Sequence, residues 1–230
     1  MSRVLASHQP DFFPYMGYFY KMYRSDVFVF SDDVQFSKTG RHNYNEILTA
    51  NGPMRLTLPI HYHVENLNEI QVAADRRWVE KTMKTLWMEY KKADCFHEVF
   101  PVIERLMWSA PDAESLADFN YGCIICLAEH FGISGRIDFV KSSNLPITQR
   151  RDARIIEMCK LMGADVYYSG AGAKEYHIEE DYAKNGIRLV YSDYQPVKYQ
   201  QIGKPAADNM SVIDYAMNCG FDLPRGWRNE

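Results

Sequence analysis

The chain has 230 residues, a formal net charge of −4 at pH 7 and 47% hydrophobic residues. This length accommodates one large domain or two small ones with a buried core. The negative net charge excludes a general attraction to nucleic acid, and no segment offers the roughly 20 consecutive apolar residues that span a bilayer. The first eight residues also lack the apolar stretch of a signal peptide, so we expect a cytoplasmic protein.

The N-terminal region predicts a strand, a loop, a helix and a second strand. Residues 3–7 are a short apolar run of the kind found in buried strands, and Pro10 and Pro14 then favour an extended or turning path. Residues 15–24 carry apolar side chains at helical spacing, and residues 27–30 are β-branched or aromatic. Such a unit usually forms a parallel strand pair with a right-handed crossover.

The remainder of the chain predicts one further strand, a helical region and then alternating strands and helices. Residues 41–47 are polar, and Asn51-Gly52-Pro53 predicts a turn. The predicted elements after this turn are a strand at 55–60, helices at 75–92, 100–108 and 116–131, a strand at 136–141, a helix at 151–162, strands at 165–169 and 187–191, and a helix at 211–218. We therefore expect one α/β domain over residues 1–230, with a mostly parallel sheet, flanking helices and a helical insertion at about 75–131.

Polar or glycine residues follow several of the predicted strands. Ligands of open α/β sheets bind beyond the carboxyl ends of the strands. The residues at these positions are His8-Gln9-Pro10, Asp32-Asp33, Ser142-Ser143 and Ser169-Gly170. We expect His8, Gln9, Ser169, Lys174 and either Asp32 or Asp33 to converge on one cleft at this edge of the sheet.

His8, Asp32 and Asp33 are the candidate catalytic residues. A histidine at a strand end can act as a general acid or base or as a phosphate donor, and the alternative is a histidine that only shapes its loop. The two aspartates could hold Mg²⁺ beside a phosphate, or orient His8 or a substrate hydroxyl. Their alternative role is to cap a turn. Because adjacent residues of an extended chain point to opposite sides, we expect one aspartate of the pair to face the site.

Four cationic side chains are candidate phosphate contacts: Lys21, Lys38, Arg41 and Lys174. Lys38 and Lys174 each lie in a loop just past a predicted strand end, where binding residues are common. The segment 169–172 is a short glycine-rich loop whose backbone could approach a phosphate or a sugar closely. It lacks the Gly-Lys-Ser/Thr of a Walker loop, and no Gly-x-Ser-x-Gly elbow or dinucleotide-binding glycine motif is present in the sequence.

The cysteines and one histidine pair are candidate metal ligands. An odd number of cysteines in a chain without an export signal predicts free thiols. Cys123 and Cys126 have metal-like spacing, but they lie in an apolar helical stretch without a second pair, so we expect core packing. His61 and His63 would share one face of a strand, but no third ligand lies nearby in the sequence, as zinc requires.

A set of motifs spread over most of the chain resembles the WbqC-like family. These motifs are His8-Gln9-Pro10, Pro14, Gly17-Tyr18, Lys21, Asp26-Val27-Phe28-Val29, Asp32-Asp33-Val34-Gln35-Phe36, Asn43, Asn45, Asn51-Gly52, Leu56-Thr57-Leu58-Pro59, Gly163-Ala164-Asp165, Tyr168-Ser169-Gly170, Lys174, Tyr176, Tyr199-Gln200-Gln201, Ser211-Val212-Ile213-Asp214 and Asn218-Cys219-Gly220. The family tends to carry arginine between the two asparagines, where this chain has Tyr44. If that arginine binds an anion, Lys38 or Arg41 must replace it here.

The resemblance implies a role in O-antigen and other surface-glycan biosynthesis, and a transferase that acts on an activated sugar. The candidate substrate-binding residues are Gln9, Pro10, Tyr18, Lys21, Lys38, Asn43, Asn45, Ser169, Gly170, Lys174, Tyr176 and Gln200. The aromatic residues Phe12, Phe13, Tyr15 and Tyr18 would stack on the sugar or base. The expected partners are an activated sugar or a nucleotide, and other enzymes of glycan assembly.

Three functions are consistent with these residues. The favoured one is transfer of an acyl, aminoacyl or glycosyl group to or from an activated sugar. The second is nucleotidyl or adenylyl transfer, because His8 follows the first strand as in the nucleotidylyltransferase superfamily. However, Gly17 is followed by Tyr18 where that superfamily has histidine, and its spacing from His8 is longer. The third is a non-catalytic subunit that binds a sugar nucleotide.

Overall fold

The computed structural model describes residues 2–62 and 65–227. Its strands are β1 (Val4–His8), β2 (Val27–Phe30), β3 (Tyr44–Thr49), β4 (Gly52–Thr57), β5 (Ile60–His61), β6 (Gln71–Val72), β7 (Asp138–Lys141), β8 (Val166–Ser169) and β9 (Arg188–Tyr191). Its α-helices are α1 (Met16–Tyr23), α2 (Arg77–Tyr90), α3 (Phe96–Ser109), α4 (Leu116–His130), α5 (Arg151–Leu161), α6 (Glu179–Lys184) and α7 (Val212–Cys219).

A parallel sheet lies at the centre of the protein. Within the described residues it has five strands in the order β7-β2-β1-β8-β9, and each neighbouring pair is parallel. All residues of β2 and β8 are buried, as their apolar sequences require for strands that helices cover on both faces. The predicted α/β fold with a mostly parallel sheet is confirmed.

The order of the strands reverses beside β1. The chain runs outward from β1 through β2 to β7, and then returns across β1 to β8 and β9. The crevice between β1 and β8 is therefore the topological switch point, where open α/β sheets bind their ligands.

β1 and β8 separate toward their carboxyl ends. Their pairing consists of Val4 with Val166 and Leu5 with Tyr167. On its other side, β1 stays paired with β2 as far as His8. The carboxyl ends of the two central strands thus stand apart, and the gap between them is open to a ligand.

Helices cover both faces of the sheet. On one face, Phe28 of β2 belongs to a continuous apolar cluster that includes Leu86 of α2, Ile103 of α3 and Ile124 of α4. On the other face, Val29 packs in a cluster with side chains of α5 and α6. Because α2, α3 and α4 join the same core as the sheet, the contacts are consistent with one domain, which stays a prediction.

The sequence prediction omits β3, β6 and α6, and the strand predicted at 55–60 is divided between β4 and β5. A polar segment is predicted at 41–47, but residues 44–49 form β3, which pairs antiparallel with β4 over the turn at Asn51. The partly polar side chains of this hairpin hide the alternation that identifies a strand. Helix α6 has only six residues, too few to show a helical period.

Two general properties follow from the described residues. None of their helices combines the length and the apolar character needed to cross a membrane. All five cysteines are free, as expected, and Cys123 is buried in the core.

Candidate functional site

A cleft of about 1030 Å³ lies at the switch point. Its floor comes from the ends of β1 and β8, through Ser7, His8 and Ser169. Helix α1 and the first turn of α5 supply its walls. The volume lies at the upper end of the usual range for small-molecule sites, about 300–1,000 Å³.

His8 stands on the cleft floor in its neutral form. Its Nδ1 lies 3.0 Å from the carbonyl oxygen of Gln9, which can only accept, so Nδ1 carries the proton and Nε2 keeps a lone pair. Burial lowers the pKa of His8 below its ordinary value, although the carboxylate of Asp11 at 3.7 Å partly offsets this effect. The side chain remains 37% exposed. His8 is therefore available at neutral pH as a base or a hydrogen-bond acceptor.

Lys21 places a buried cation in the same cleft. Its Nζ donates a hydrogen bond of 2.7 Å to the carbonyl oxygen of Ser7, and the residue is 7% exposed. In the described part of the chain, no carboxylate lies within ion-pair distance of this ammonium group. Burial lowers the pKa of Lys21 to about 8. A buried ammonium group with one neutral partner favours an anionic ligand, because an anion compensates the cost of its burial.

Aromatic side chains form one wall of the cleft. The hydroxyl of Tyr18 donates a hydrogen bond of 3.0 Å to the carbonyl oxygen of Gln9. Its ring packs edge-on against the ring of His8, with 4.8 Å between the ring centroids. The rings of Tyr15 and Tyr194 pack edge-on, with 5.8 Å between their centroids. Gly17 permits this arrangement, because a Cβ atom at its position would lie 2.3 Å from the Tyr15 ring. Of the four rings expected to stack on a sugar or base, those of Phe12, Phe13 and Tyr18 are at most 2% exposed because they pack in the core, so that expectation is wrong for these three, and only Tyr15 of the four can present a ring face.

A chain of three polar residues also lines the cleft, and sequence reasoning missed two of them. Asp152 Oδ1 lies 2.7 Å from Nδ1 of His177, and Nε2 of His177 lies 2.9 Å from Oγ of Ser169. The strand-end rule predicts Ser169, but no local pattern in the sequence predicts His177 or Asp152. The only local indication was that His177 follows the motif residues Lys174 and Tyr176.

Asp32 and Asp33 lie outside this cleft. Asp32 is 3% exposed, and its two oxygens accept hydrogen bonds from the backbone amide and the hydroxyl of Ser143. Asp33 accepts from Ser142 and, at 2.5 Å, from Arg154, whose side chain lines the cleft. These contacts hold the loop after β7 and a wall of the cleft. A catalytic role for either aspartate stays a prediction.

The other nominated residues fall into two groups. Gln9, Tyr18, Lys21, Ser169, Gly170 and Tyr176 line the cleft. Pro10, Lys38, Asn43, Asn45, Lys174 and Gln200 are absent from its described lining.

Two of the absent residues stabilise loops instead. Nδ2 of Asn45 donates hydrogen bonds of 3.2 and 2.8 Å to the carbonyl oxygens of Phe12 and Phe13. Nδ2 of Asn43 donates a hydrogen bond of 3.1 Å to the carbonyl oxygen of Leu58. These bonds hold the loop after β1 against the β3–β4 hairpin. A part in substrate binding stays a prediction for all the nominated residues.

The described residues contain no group of three or more histidine, cysteine, aspartate or glutamate side chains arranged to hold a metal ion. At the predicted magnesium position, the two oxygens of Asp32 accept hydrogen bonds from the amide and the hydroxyl of Ser143, and magnesium binding there stays a prediction. His63 of the proposed His61–His63 pair lies outside the described residues.

The fold and the cleft define an α/β protein with a cleft at the switch point of a parallel sheet. The chain matches the model of the WbqC-like protein family over residues 9–225, and it belongs to that family. It is also 25% identical over 232 residues to the uncharacterized protein Rv1507c of Mycobacterium tuberculosis (strain ATCC 25618 / H37Rv), with 96% of each chain covered.

Proposed function

We propose that this protein is a transferase of bacterial surface-glycan assembly and that its substrate is a sugar activated through a phosphate. The observation that carries the proposal is the buried ammonium group of Lys21 in the switch-point cleft. Its one hydrogen-bond partner in the described structure is the neutral carbonyl group of Ser7, so its charge is uncompensated in the free protein. A phosphate group of the substrate would supply the missing negative charge.

The rest of the cleft supports a sugar nucleotide. The volume of about 1030 Å³ is sufficient for a sugar and a nucleotide together. Tyr15 and Tyr194 offer rings for stacking on the sugar or the base. His8, neutral and part-exposed on the floor, can accept a hydrogen bond from a hydroxyl or amine of the substrate. The surface-glycan pathway itself is supported by the family resemblance.

Binding of UDP- and TDP-linked hexoses, measured by calorimetry, tests this proposal. We expect wild-type protein to bind at least one of them and Lys21→Met to weaken that affinity about 10- to 100-fold, the usual effect of a lost charge-assisted hydrogen bond. Lys84→Met is the matched control, because Lys84 is exposed on α2, away from the cleft. Equal affinities in wild type and Lys21→Met, or no binding of any nucleotide sugar to wild type, would contradict the proposal.

The pH dependence of binding provides a second readout. Because the pKa of Lys21 is about 8, the free protein loses this positive charge as the pH rises through that value. Affinity for the diphosphate should therefore be greatest below pH 8 and fall above it. Lys21→Arg should bind with little change over the same range, because arginine stays charged.

Nucleotidyl transfer is the second candidate, because His8 and Lys21 lie together on the cleft floor. Lys21 can donate a hydrogen bond to the phosphates of a nucleoside triphosphate, and His8 can do so when its ring is protonated. The two candidates differ in their products. Pyrophosphate release from a nucleoside triphosphate and a sugar phosphate would favour nucleotidyl transfer. Binding of a nucleotide sugar without turnover by any acceptor would instead indicate a binding subunit.

A further inference from the structure

Ser169, His177 and Asp152 form a continuous hydrogen-bonded chain at the edge of the cleft. Ser169 is the last residue of β8, Asp152 lies in the first turn of α5, and His177 precedes α6. The side chains of His177 and Asp152 are 6% and 17% exposed. The three side chains therefore come from different elements of the fold and lie together where they are largely shielded from solvent.

The partners of His177 determine which of its nitrogen atoms carries the proton. The carboxylate of Asp152 can only accept, so Nδ1 of His177 donates to it over 2.7 Å. In the neutral ring, Nε2 then holds a lone pair, and the hydroxyl of Ser169 donates to it over 2.9 Å. This is the direction of proton transfer that a serine nucleophile requires.

Asp152 is held in its charged form and in a fixed orientation. Burial alone would raise the pKa of Asp152, but the hydrogen bonds that it accepts from the Ile178 amide, His177 and Tyr182 outweigh burial and lower it. The carboxylate thus stays ionised beside the imidazole, and it can stabilise the positive charge that His177 gains when it accepts a proton.

The backbone at this point is strained. Arg151, which directly precedes Asp152, has a φ of +52°, a left-handed conformation that L-residues other than glycine seldom adopt. Both Arg151 and Asp152 line the cleft. Such strain persists where the surrounding structure fixes it, and it is concentrated at functional sites.

We propose that Ser169 is a nucleophile that carries an acyl group during transfer to the activated sugar, with His177 as its general base and Asp152 as the residue that positions His177. The choice of acceptor rests on the proposed function. The acyl donor is an ester or a thioester. Oγ of Ser169 attacks the carbonyl carbon while its proton passes to Nε2 of His177, and the bond from that carbon to the alcohol or thiol then breaks. His177 protonates the leaving group.

The second half of the reaction restores the free serine. A hydroxyl or amine of the sugar attacks the acyl-serine ester, and His177 accepts the proton of this nucleophile. The bond to Oγ breaks, and the proton returns from His177 to Ser169. The net reaction exchanges one acyl bond for another, so no oxidant or reductant is required.

A small organophosphorus fluoride such as diisopropyl fluorophosphate tests the nucleophile without knowledge of the natural donor. We expect one adduct per wild-type chain by intact mass, assigned to Ser169 by peptide mapping. Ser169→Ala should abolish this adduct, and His177→Gln should slow its formation about 10²- to 10⁴-fold, the usual contribution of a general base. Ser134→Ala is the matched control, because Ser134 lies in a turn before β7 and outside the cleft.

The proposal is overturned if folded wild-type protein gives no adduct at Ser169, or if His177→Gln reacts as fast as wild type. Either result would show that the three residues only tie β8 to α5. Its failure is distinguishable from failure of the proposed function. Nucleotide-sugar binding by wild type without labelling of Ser169 would remove the nucleophile alone, whereas labelling without nucleotide-sugar binding would remove the proposed substrate alone.

Discussion

The guanidinium group of Arg154 lies 2.5 Å from Oδ1 of Asp33, 121 residues earlier in the chain. The two side chains are 18% and 28% exposed, and Nε of Arg154 has no hydrogen-bond partner in the described structure. Asp33 therefore holds a cationic wall of the cleft in place, while its own carboxylate lies outside the cleft.

Asp33→Asn should lower the free energy of unfolding by about 1–3 kcal/mol, because it leaves a largely buried guanidinium group without its anionic partner. Urea denaturation measures this change. Asp181→Asn is the control, since its pair with Lys184 is exposed and should contribute no more than about 0.5 kcal/mol. Similar decreases in the free energy of unfolding of the two variants would show that the Asp33–Arg154 pair contributes no more to stability than an exposed ion pair.

Lys21→Met should stabilise the protein while it weakens ligand binding. The pKa of Lys21 falls from its ordinary 10.5 to about 8 in the folded protein, so the fold disfavours the charged form at neutral pH. A difference of this size corresponds to at most about 3 kcal/mol. We therefore expect Lys21→Met to raise the free energy of unfolding at pH 7 by about 1–3 kcal/mol.

The pH dependence of stability separates this effect from a simple gain in packing. Between the folded pKa of about 8 and the unfolded value near 10.5, the unfolded chain binds the proton that the folded protein has lost, so wild-type stability gains from this group as the pH rises. The advantage of Lys21→Met should accordingly shrink between neutral pH and about pH 9.5. If Lys21→Met exceeded wild type in the free energy of unfolding, measured by urea denaturation, by the same amount at both pH values, burial would not destabilise the charged form of Lys21.

Gly17→Ala should disturb the aromatic wall of the cleft. The new methyl group would lie 2.3 Å from the ring of Tyr15, so this ring must move away from its present position. We expect nucleotide-sugar affinity to fall about 5- to 30-fold, as loss of one stacked ring would cost about 1–2 kcal/mol. Gly122→Ala is the matched control in helix α4, where a methyl group meets open space and should add about 0.5–1 kcal/mol of stability. Unchanged affinity in Gly17→Ala would mean that the position of the Tyr15 ring is unimportant.

Asn45→Ala should cost more stability than a typical surface substitution. Its buried amide donates to the carbonyl oxygens of both Phe12 and Phe13, and Phe13 has a φ of +41°. Without the amide, the carbonyl oxygen of Phe12 loses its partner and that of Phe13 keeps only the hydroxyl of Ser211, which should lower the free energy of unfolding by about 1–3 kcal/mol. Asn144→Ala, at an exposed position, should stay within about 0.5 kcal/mol in the same thermal or urea denaturation. A small loss in Asn45→Ala would indicate that the loop is held by packing alone.

Local sequence patterns determined most of the secondary structure. The apolar run at residues 27–30 and the helical spacing in residues 75–92 each identify an element whose residues are neighbours in the chain. The strand-end rule also placed His8, Gln9 and Ser169 at one cleft, because parallel strands bring their carboxyl ends to the same edge. The family motifs, read from the same residues, identified the family.

The tertiary structure alone decided which strand ends border the cleft and which polar groups meet there. Asp32 and Asp33 follow β2, whereas the crevice opens between β1 and β8, and no local pattern specifies that order of strands. His177, 8 residues after Ser169, contacts the Ser169 hydroxyl. Asp152, at the start of α5, contacts the other nitrogen of the His177 ring. Hydrogen bonds between residues so far apart depend on how helices pack against the sheet, and the periodicity of a sequence records only which face of each element is buried.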